Sequence, residues 1–195
     1  MSIRAFLGIR LAPQVQSTLE ACEEAIRAES RGWRGEKWVS AQNLHVTVKF
    51  LGTMEEESLE SVTDAVTRTC GSASEYSLVL GDVQAVPRLR AATMIWATLA
   101  EGEEATAGLV AATEAELAPL GIAPESRGFS GHITLARARR PKPIGFEALD
   151  AANRVLFATG EREKRMSVRG ITLYSSTLTP RGPLYEELAF VPFAG

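Results

Sequence analysis

The chain has 195 residues, of which 45% are hydrophobic, so it is long enough to bury a substantial core as one domain or as two small lobes. Its 24 acidic and 21 basic side chains give a formal net charge of −3, which excludes a protein that coats long nucleic acid by general phosphate neutralisation. Recognition of a nucleic-acid end stays open.

The first half of the chain predicts alternating strands and helices. Apolar alternation, an N-terminal proline and β-branched runs mark the elements. In order they are a strand at Ile3–Arg10, a helix opened by Pro13, extended segments at Trp38–Val39 and from His45 to a stop at Gly52, a helix from about Glu55 to Thr69, and strands at Tyr76–Val83 and Thr93–Leu99.

The second half repeats this rhythm. Its expected elements are helices at about Glu103–Leu120 and Phe146–Phe157, a strand from His132, further strands at Lys164–Arg169, Ile171–Ser175 and Tyr185–Val191, and a tight turn at Pro180–Arg181–Gly182–Pro183. Because the two halves are similar and no linker separates them, we expect one compact α+β body in which antiparallel sheets form a central cleft.

Targeting and redox signals are few. Cys22 and Cys70 lie in predicted helices without metal spacing, which favours a reducing compartment over a disulfide framework. Arg4 and Arg10 interrupt the first apolar stretch, so it does not read as a secretory signal, and no run approaches the roughly 18 apolar residues of a membrane span. We expect a cytoplasmic protein that does not bind membranes.

The histidines carry the strongest functional signal. The chain has two, and each begins the same short pattern, His45-Val46-Thr47-Val48 and His132-Ile133-Thr134-Leu135, 132 − 45 = 87 residues apart. Residues two apart in a strand share a face, so each strand presents an imidazole beside a hydroxyl. In the first copy Lys49 is expected on that same polar face, and Phe50 on the packed face with Val46 and Val48. A single histidine of this kind more often has a structural role, with its ring nitrogens hydrogen-bonded within the fold. The duplication favours one functional site formed by both histidines.

Paired imidazoles suit displacement at phosphorus. One neutral and one protonated histidine provide a base for the attacking water and an acid for the departing oxygen, while threonine hydroxyls donate to the phosphate. Arg137 is the expected cation for the nonbridging oxygens. By alternation it should point away from His132, so it can serve only if the strand ends or bulges before it.

Basic and aromatic residues lie beside both motifs. The basic ones are Arg27, Arg31, Arg34, Lys37, Arg137, Arg139, Arg140 and Lys142. Such runs are more often solvated surface than substrate contacts. Three aromatic residues could stack a nucleobase: Phe6, Trp38 and Phe129. For each of them the alternative is simple packing in the hydrophobic core.

The same residues resemble a known family, the two-histidine phosphoesterases, and within it the RNA 2′,3′-cyclic phosphodiesterases once called 2′-5′ RNA ligases. The likeness covers nearly the whole chain. Besides the two motifs it includes Asn43-Leu44, Phe50-Leu51-Gly52, Trp96, Arg127, Phe129, Ala136-Arg137, Leu173-Tyr174 and Tyr185. One departure is Ser130-Gly131, where the family often has proline before the second histidine, so we expect a more flexible approach to that strand.

The resemblance implies a bilobal α+β fold, with two pseudo-symmetric lobes of antiparallel sheet and flanking helices around a central cleft, and one domain of two intertwined lobes over residues 1–195. It implies metal-independent hydrolysis of RNA or nucleotide 2′,3′-cyclic phosphate ends to 2′-phosphates, with His45 as general acid and His132 as general base. Thr47, Thr134 and Arg137 would bind the phosphate. It also implies possible reversible 2′-5′ ligation, no cofactor and no metal, and we expect a monomer.

Two alternatives stay open. One keeps the chemistry but acts on a small cyclic nucleotide or an ADP-ribose cyclic phosphate. The other is a noncatalytic binder of RNA ends. A metal site is disfavoured because neither histidine has a nearby cysteine and Glu55 lies on a predicted helix outside ligand spacing.

Overall fold

The computed structural model describes residues 1–179 and 182–195. The turn expected at Pro180–Pro183 falls partly outside these residues, at 180 and 181, and stays a prediction. The described strands are β1 (Ser2–Arg10), β2 (Lys37–Trp38), β3 (His45–Glu55), β4 (Tyr76–Val86), β5 (Ala92–Glu101), β6 (His132–Lys142), β7 (Arg165–Val168), β8 (Gly170–Thr179) and β9 (Gly182–Pro192). The described helices are α1 (Pro13–Glu29), α2 (Leu59–Gly71), α3 (Glu103–Leu117), α4 (Phe146–Ala158) and α5 (Glu161–Lys164).

Two helix boundaries differ from the sequence predictions. The second helix begins at Leu59 rather than Glu55, because β3 continues through Glu55 and a 3₁₀ turn follows at Glu56–Ser58. The third ends at Leu117, and Ala118–Leu120 tighten into a 3₁₀ turn. Pro119 explains that change, since it has no N–H for the helical ladder and its ring clashes with the preceding turn.

The strands form one antiparallel sheet in the order β7-β4-β5-β6-β3-β1-β8-β9, and β2 also pairs with β6. One half of the sheet is β7-β4-β5-β6 and the other is β3-β1-β8-β9. The half β3-β1-β8-β9 takes its strands from both ends of the chain, whereas β7-β4-β5-β6 comes from the middle of the chain. The α+β class with two antiparallel half-sheets is confirmed.

The two half-sheets meet where β3 lies against β6, and a single residue pair, Val46 with Ile133, is matched there. Both side chains are fully buried in a core that α1 with α4 and α2 with α3 cover from one face. Burying each such side chain contributes about 1.5–3 kcal/mol, which fixes the register at the joint.

Matching bulges follow the joint on both strands. In β3 the partners step from Gly8–Thr47 to Leu7–Lys49, so Val48 is the extra residue. In β6 they step from Trp96–Thr134 to Ile95–Ala136, which leaves Leu135 as the extra residue. A bulge puts two successive residues on one face and reverses the alternation beyond it.

The bulges correct two predictions from strand alternation. Lys49 was expected on the polar face, but it is 2% exposed and lies on the packed side. Phe50 was expected to pack, but it is 54% exposed. Arg137 takes the position in β6 that Phe50 takes in β3, so the bulge returns it to the face of His132 instead of pointing it away.

Candidate active site

The joint between the lobes brings four polar side chains together on the face opposite the helices. The one matched pair is Val46 with Ile133, and continuing its antiparallel register by one residue on each side sets His45 opposite Thr134 and Thr47 opposite His132. Opposed Cβ atoms lie about 4.5–5.5 Å apart and diagonal ones about 7–8 Å. The two imidazoles therefore occupy one diagonal of a small square and the two hydroxyls the other.

Each imidazole is oriented by a backbone carbonyl two residues earlier. Nδ1 of His45 lies 2.7 Å from the Asn43 carbonyl oxygen, and Nδ1 of His132 lies 2.8 Å from that of Ser130. A carbonyl only accepts, so Nδ1 carries the proton in both rings. Nε2 is then the nitrogen that can take or give a proton, and this holds in both half-sites.

The two rings rest on different aromatic surroundings. His45 lies 4.7 Å from the ring centroid of Phe6 and 5.5 Å from that of Tyr185. His132 stacks on Trp96 with centroids 3.7 Å apart and planes 15° from parallel. Below His45, a Cβ on Gly8 would come within 3.4 Å of the imidazole, so this glycine permits its close approach.

Burial lowers the pKa of both histidines. For His45, desolvation is the main cause, and the charges of Arg137 and His132 lower the pKa further, against the hydrogen bond to Asn43. For His132, desolvation again dominates, with Arg137 adding to it and the Ser130 bond opposing it. The charges of His132 and Arg137 thus both act on His45, and the charge of Arg137 also acts on His132.

The expected phosphate ligands are unengaged. Within residues 1–179 and 182–195, the hydroxyls of Thr47 and Thr134 have no protein hydrogen-bond partner, and the polar contact of the Arg137 guanidinium is the weak acceptor Sδ of Met94, 3.0 Å away. A cation without a carboxylate partner beside two free hydroxyls is suited to an anion.

The approach to β6 is close-packed. The Gly131 N–H donates to Oε1 of Glu103 at 3.0 Å, and a Cβ on Gly131 would lie 2.7 Å from Cδ1 of Leu99. Proline would lose that bond and clash with Leu99. The Ser130-Gly131 departure, which predicted a more flexible approach, thus gives a tightly held one.

A cavity of about 500 Å³ opens beside Thr47 and His132. Phe50, Arg127 and Phe129 lie on its wall. One side of the cavity is fixed by Lys49, whose buried ammonium lies 2.6 Å from Oε1 of Glu114 and 2.7 Å from the Ala123 carbonyl. The same Glu114 oxygen accepts the Glu125 N–H, which ties the loop before His132 to α3.

Of the three aromatic residues considered for base stacking, two belong to the core and one lines the cavity. Phe6 is 3% exposed beneath His45, and Trp38 packs against the core with its Nε1 donating to the Trp33 carbonyl. Phe129 does line the cavity. Alternation missed Phe50, and the signal that could have found it is its alignment with Arg137, five residues after each histidine.

No group of three or more histidine, cysteine, aspartate or glutamate side chains suited to a metal occurs in the described residues. In the same part of the chain, no helix has the length and apolar character needed to cross a membrane.

Comparisons with known proteins agree on one family of phosphoesterases. The family model described as LigT like Phosphoesterase matches residues 9–96 and 99–185. A protein of Archaeoglobus fulgidus named RNA 2′,3′-cyclic phosphodiesterase is 28% identical over 178 residues, covering 91% of this chain and 96% of that protein. One of the same name from Thermotoga maritima is 28% identical over 193 residues, covering 99% and 97%.

Solved structures share the fold. The protein TT0787 of Thermus thermophilus superposes with a TM-score of 0.77 at 25% identity, covering 99% of both chains. E. coli LigT in its apo form gives a TM-score of 0.68 at 22% identity, covering 100% of this chain and 99% of that one. E. coli LigT has also been crystallised with 3′-AMP, and that chain has a TM-score of 0.66 at 21% identity.

Proposed function

We propose that this chain, which belongs to the LigT-like phosphoesterase family, opens RNA 2′,3′-cyclic phosphate ends to 2′-phosphate ends by acid–base catalysis with two histidines. The observation that carries the proposal is the square at the lobe joint. There His45 and His132 lie on one diagonal, each with Nδ1 fixed and Nε2 available. The relatives named RNA 2′,3′-cyclic phosphodiesterase support the same reaction class.

In the proposed reaction, Nε2 of His132 takes a proton from water as the water oxygen attacks phosphorus. The bond from phosphorus to O3′ breaks, and Nε2 of His45 delivers a proton to that oxygen. The products are a 2′-phosphate and a 3′-hydroxyl. Attack and departure lie on opposite sides of phosphorus, which is the relation that the diagonal histidines provide.

The remaining polar residues serve the nonbridging oxygens. Thr47 and Thr134 lie on the other diagonal and donate hydrogen bonds to them, while Arg137 balances the charge that develops. Each lobe supplies one histidine and one threonine. We therefore also propose that residues 1–195 act as one domain, in which neither lobe is active without the other.

The same geometry accommodates the reverse use of the site. If a 5′-hydroxyl replaces water as the nucleophile, His132 takes its proton, His45 again protonates O3′, and a 2′-5′ linkage forms. The proton carriers do not change between the two reactions.

The experiment is turnover of a ribo-oligonucleotide ending in 2′,3′-cyclic phosphate, in the presence of EDTA, with the product identified by ³¹P NMR. We expect a 2′-phosphate, and a collapse of turnover in His45→Ala and in His132→Ala. Arg162→Gln, an exposed change on α5, is the matched control.

Three results would overturn the proposal. Unchanged turnover in either histidine variant removes the acid–base pair. Loss of turnover in EDTA removes the metal-free mechanism. Tight binding of a 2′-phosphate end without turnover between about pH 5 and 9 identifies a binding protein instead.

A further inference from the structure

The basic residues beside the two motifs differ in what they contact. Three of them are engaged: Arg27 with Glu23 and the Trp38 ring, Arg34 with the carbonyls of Arg27 and Ala28, and Lys142 with Glu36 and the Gly32 carbonyl. Lys37, like Arg31 and Arg140, is exposed, and its ammonium makes no ion pair or hydrogen bond within the described residues. It is therefore a cation without a structural task.

The position of Lys37 is set by β2. Lys37 pairs with Arg137, and Trp38 pairs with Ala136. At those positions β5 already occupies one edge of β6, with Met94 opposite Arg137, so β2 takes the other edge. That is the edge on which β3 brings Val46 to Ile133. The short strand thus extends the line of β3 beyond His45.

The side chain of Lys37 lies on the face of the site. Opposed residues of an antiparallel pair share a face, and Arg137 is close enough to both histidines to lower the pKa of each. Trp38 alternates to the packed side, beneath Arg27 of α1. Lys37 is accordingly the next cation beyond Arg137, with Cα atoms about 4.5–5.5 Å apart.

We propose that Lys37 binds the phosphate on the 5′ side of the terminal nucleotide, so that the site selects RNA ends over nucleosides that carry only the cyclic phosphate. This inference rests on the proposed function. When Arg137 and the two threonines hold the cyclic phosphate, the next negative charge along an RNA strand is that 5′ phosphate. A flexible ammonium attracts this phosphate through its charge, so the contact does not depend on which base the nucleotide carries.

The sharpest test compares adenosine 2′,3′-cyclic phosphate with its 5′-phosphorylated form, because the two differ by one phosphate. We expect wild type to show the higher kcat/KM on the 5′-phosphorylated compound by about twofold to fivefold, the range for one exposed charge contact. Lys37→Gln should lose that advantage and keep wild-type turnover of the compound without it. Lys37→Arg should retain the advantage, and so should Arg162→Gln, which removes one positive charge at a distance.

The inference is overturned if wild type does not distinguish the two compounds, or if Lys37→Gln lowers turnover of both equally. Either result leaves the proposed function standing. If wild type hydrolyses neither compound, the oligonucleotide assay still decides the proposed function, and calorimetric binding of adenosine 2′-phosphate and adenosine 2′,5′-bisphosphate decides the role of Lys37. Equal affinity of Lys37→Gln and wild type for the bisphosphate would then refute it.

Discussion

The half-sites of β3 and β6 share a backbone and differ in side chains. Both strands bulge at the third residue after the histidine, and both rings donate Nδ1–H to a carbonyl two residues earlier. Yet His45 lies among Phe6 and two tyrosines, whereas His132 stacks on Trp96. Five residues after the histidine, one strand carries an exposed phenylalanine and the other an arginine.

One duplicated backbone element thus carries two different sets of side chains. The shared backbone gives the proposed acid and the proposed base the same setting, an imidazole with a fixed tautomer beside a hydroxyl. The differing side chains supply what distinguishes them. The arginine places charge in one half-site, and the phenylalanine gives the other an apolar wall.

Removing both imidazoles tests whether the half-sites form one unit. His45→Ala and His132→Ala should each lower kcat about 10³-fold, within the usual range for a positioned proton carrier. The double variant should lose no more than about tenfold beyond either single one, because residues that act together are not additive. Single-turnover rates measure this, and multiplied losses would show two independent sites.

Breaking the buried ion pair tests a residue that only the β3 half-site has. Lys49 is 2% exposed and Glu114 is its nearest partner, whereas the equivalent residue of β6 is Ala136. Lys49→Met should lower the free energy of unfolding by about 3 kcal/mol, since it leaves the Glu114 carboxylate and the Ala123 carbonyl without their buried partner. Urea unfolding measures the loss. The double variant Lys49→Met/Glu114→Leu should recover part of it, and equal stability of Lys49→Met and wild type would refute the account.

Removing Arg137 tests the difference in charge between the β3 and β6 half-sites. Arg137→Gln should lower kcat/KM about 10²-fold, the usual loss for one charge-stabilising donor. Because the charge of Arg137 lowers the pKa of both histidines, the variant should also shift the kcat/KM profile to higher pH. In wild type the free-enzyme profile should have its optimum below about pH 6.5, since burial lowers both pKa values. A profile that moves to lower pH in the variant would contradict the proposed electrostatics.

Changing Phe50 tests the equivalent position in the other half-site. Its exposed ring borders the cavity beside Thr47, so we expect it to stack the nucleobase. Phe50→Leu should raise KM about tenfold and leave kcat within about twofold, in contrast to Arg137→Gln, which should lower kcat. A fall in kcat without a change in KM would place Phe50 in the chemistry rather than in binding.

Much of this architecture could be predicted from the sequence, because its signals are local. Apolar alternation marked the strands, and the histidine spacing identified the shared face. The bulges could not be predicted, since one extra residue in a ladder leaves no mark on hydrophobicity. They moved Lys49 inward and Phe50 outward, and they satisfied the condition under which Arg137 serves the phosphate.

Long-range pairing was also beyond the sequence. Nothing near Lys37 indicates that a two-residue strand will pair with β6 and place it opposite Arg137. Likewise, Ser130-Gly131 suggested a loose approach to His132, whereas the packing of Leu99 and Glu103 around Gly131 becomes visible only once α3 and β5 are in place.

A cyclic phosphate in which sulfur replaces O3′ separates the proposed acid from the proposed base. A thiolate departs without a proton, so only the general base remains necessary. His45→Ala should then recover turnover close to that of wild type on the same compound, while His132→Ala should stay inactive. If neither variant recovers, or if His132→Ala recovers in place of His45→Ala, the proposed division of proton transfer between the two lobes is wrong.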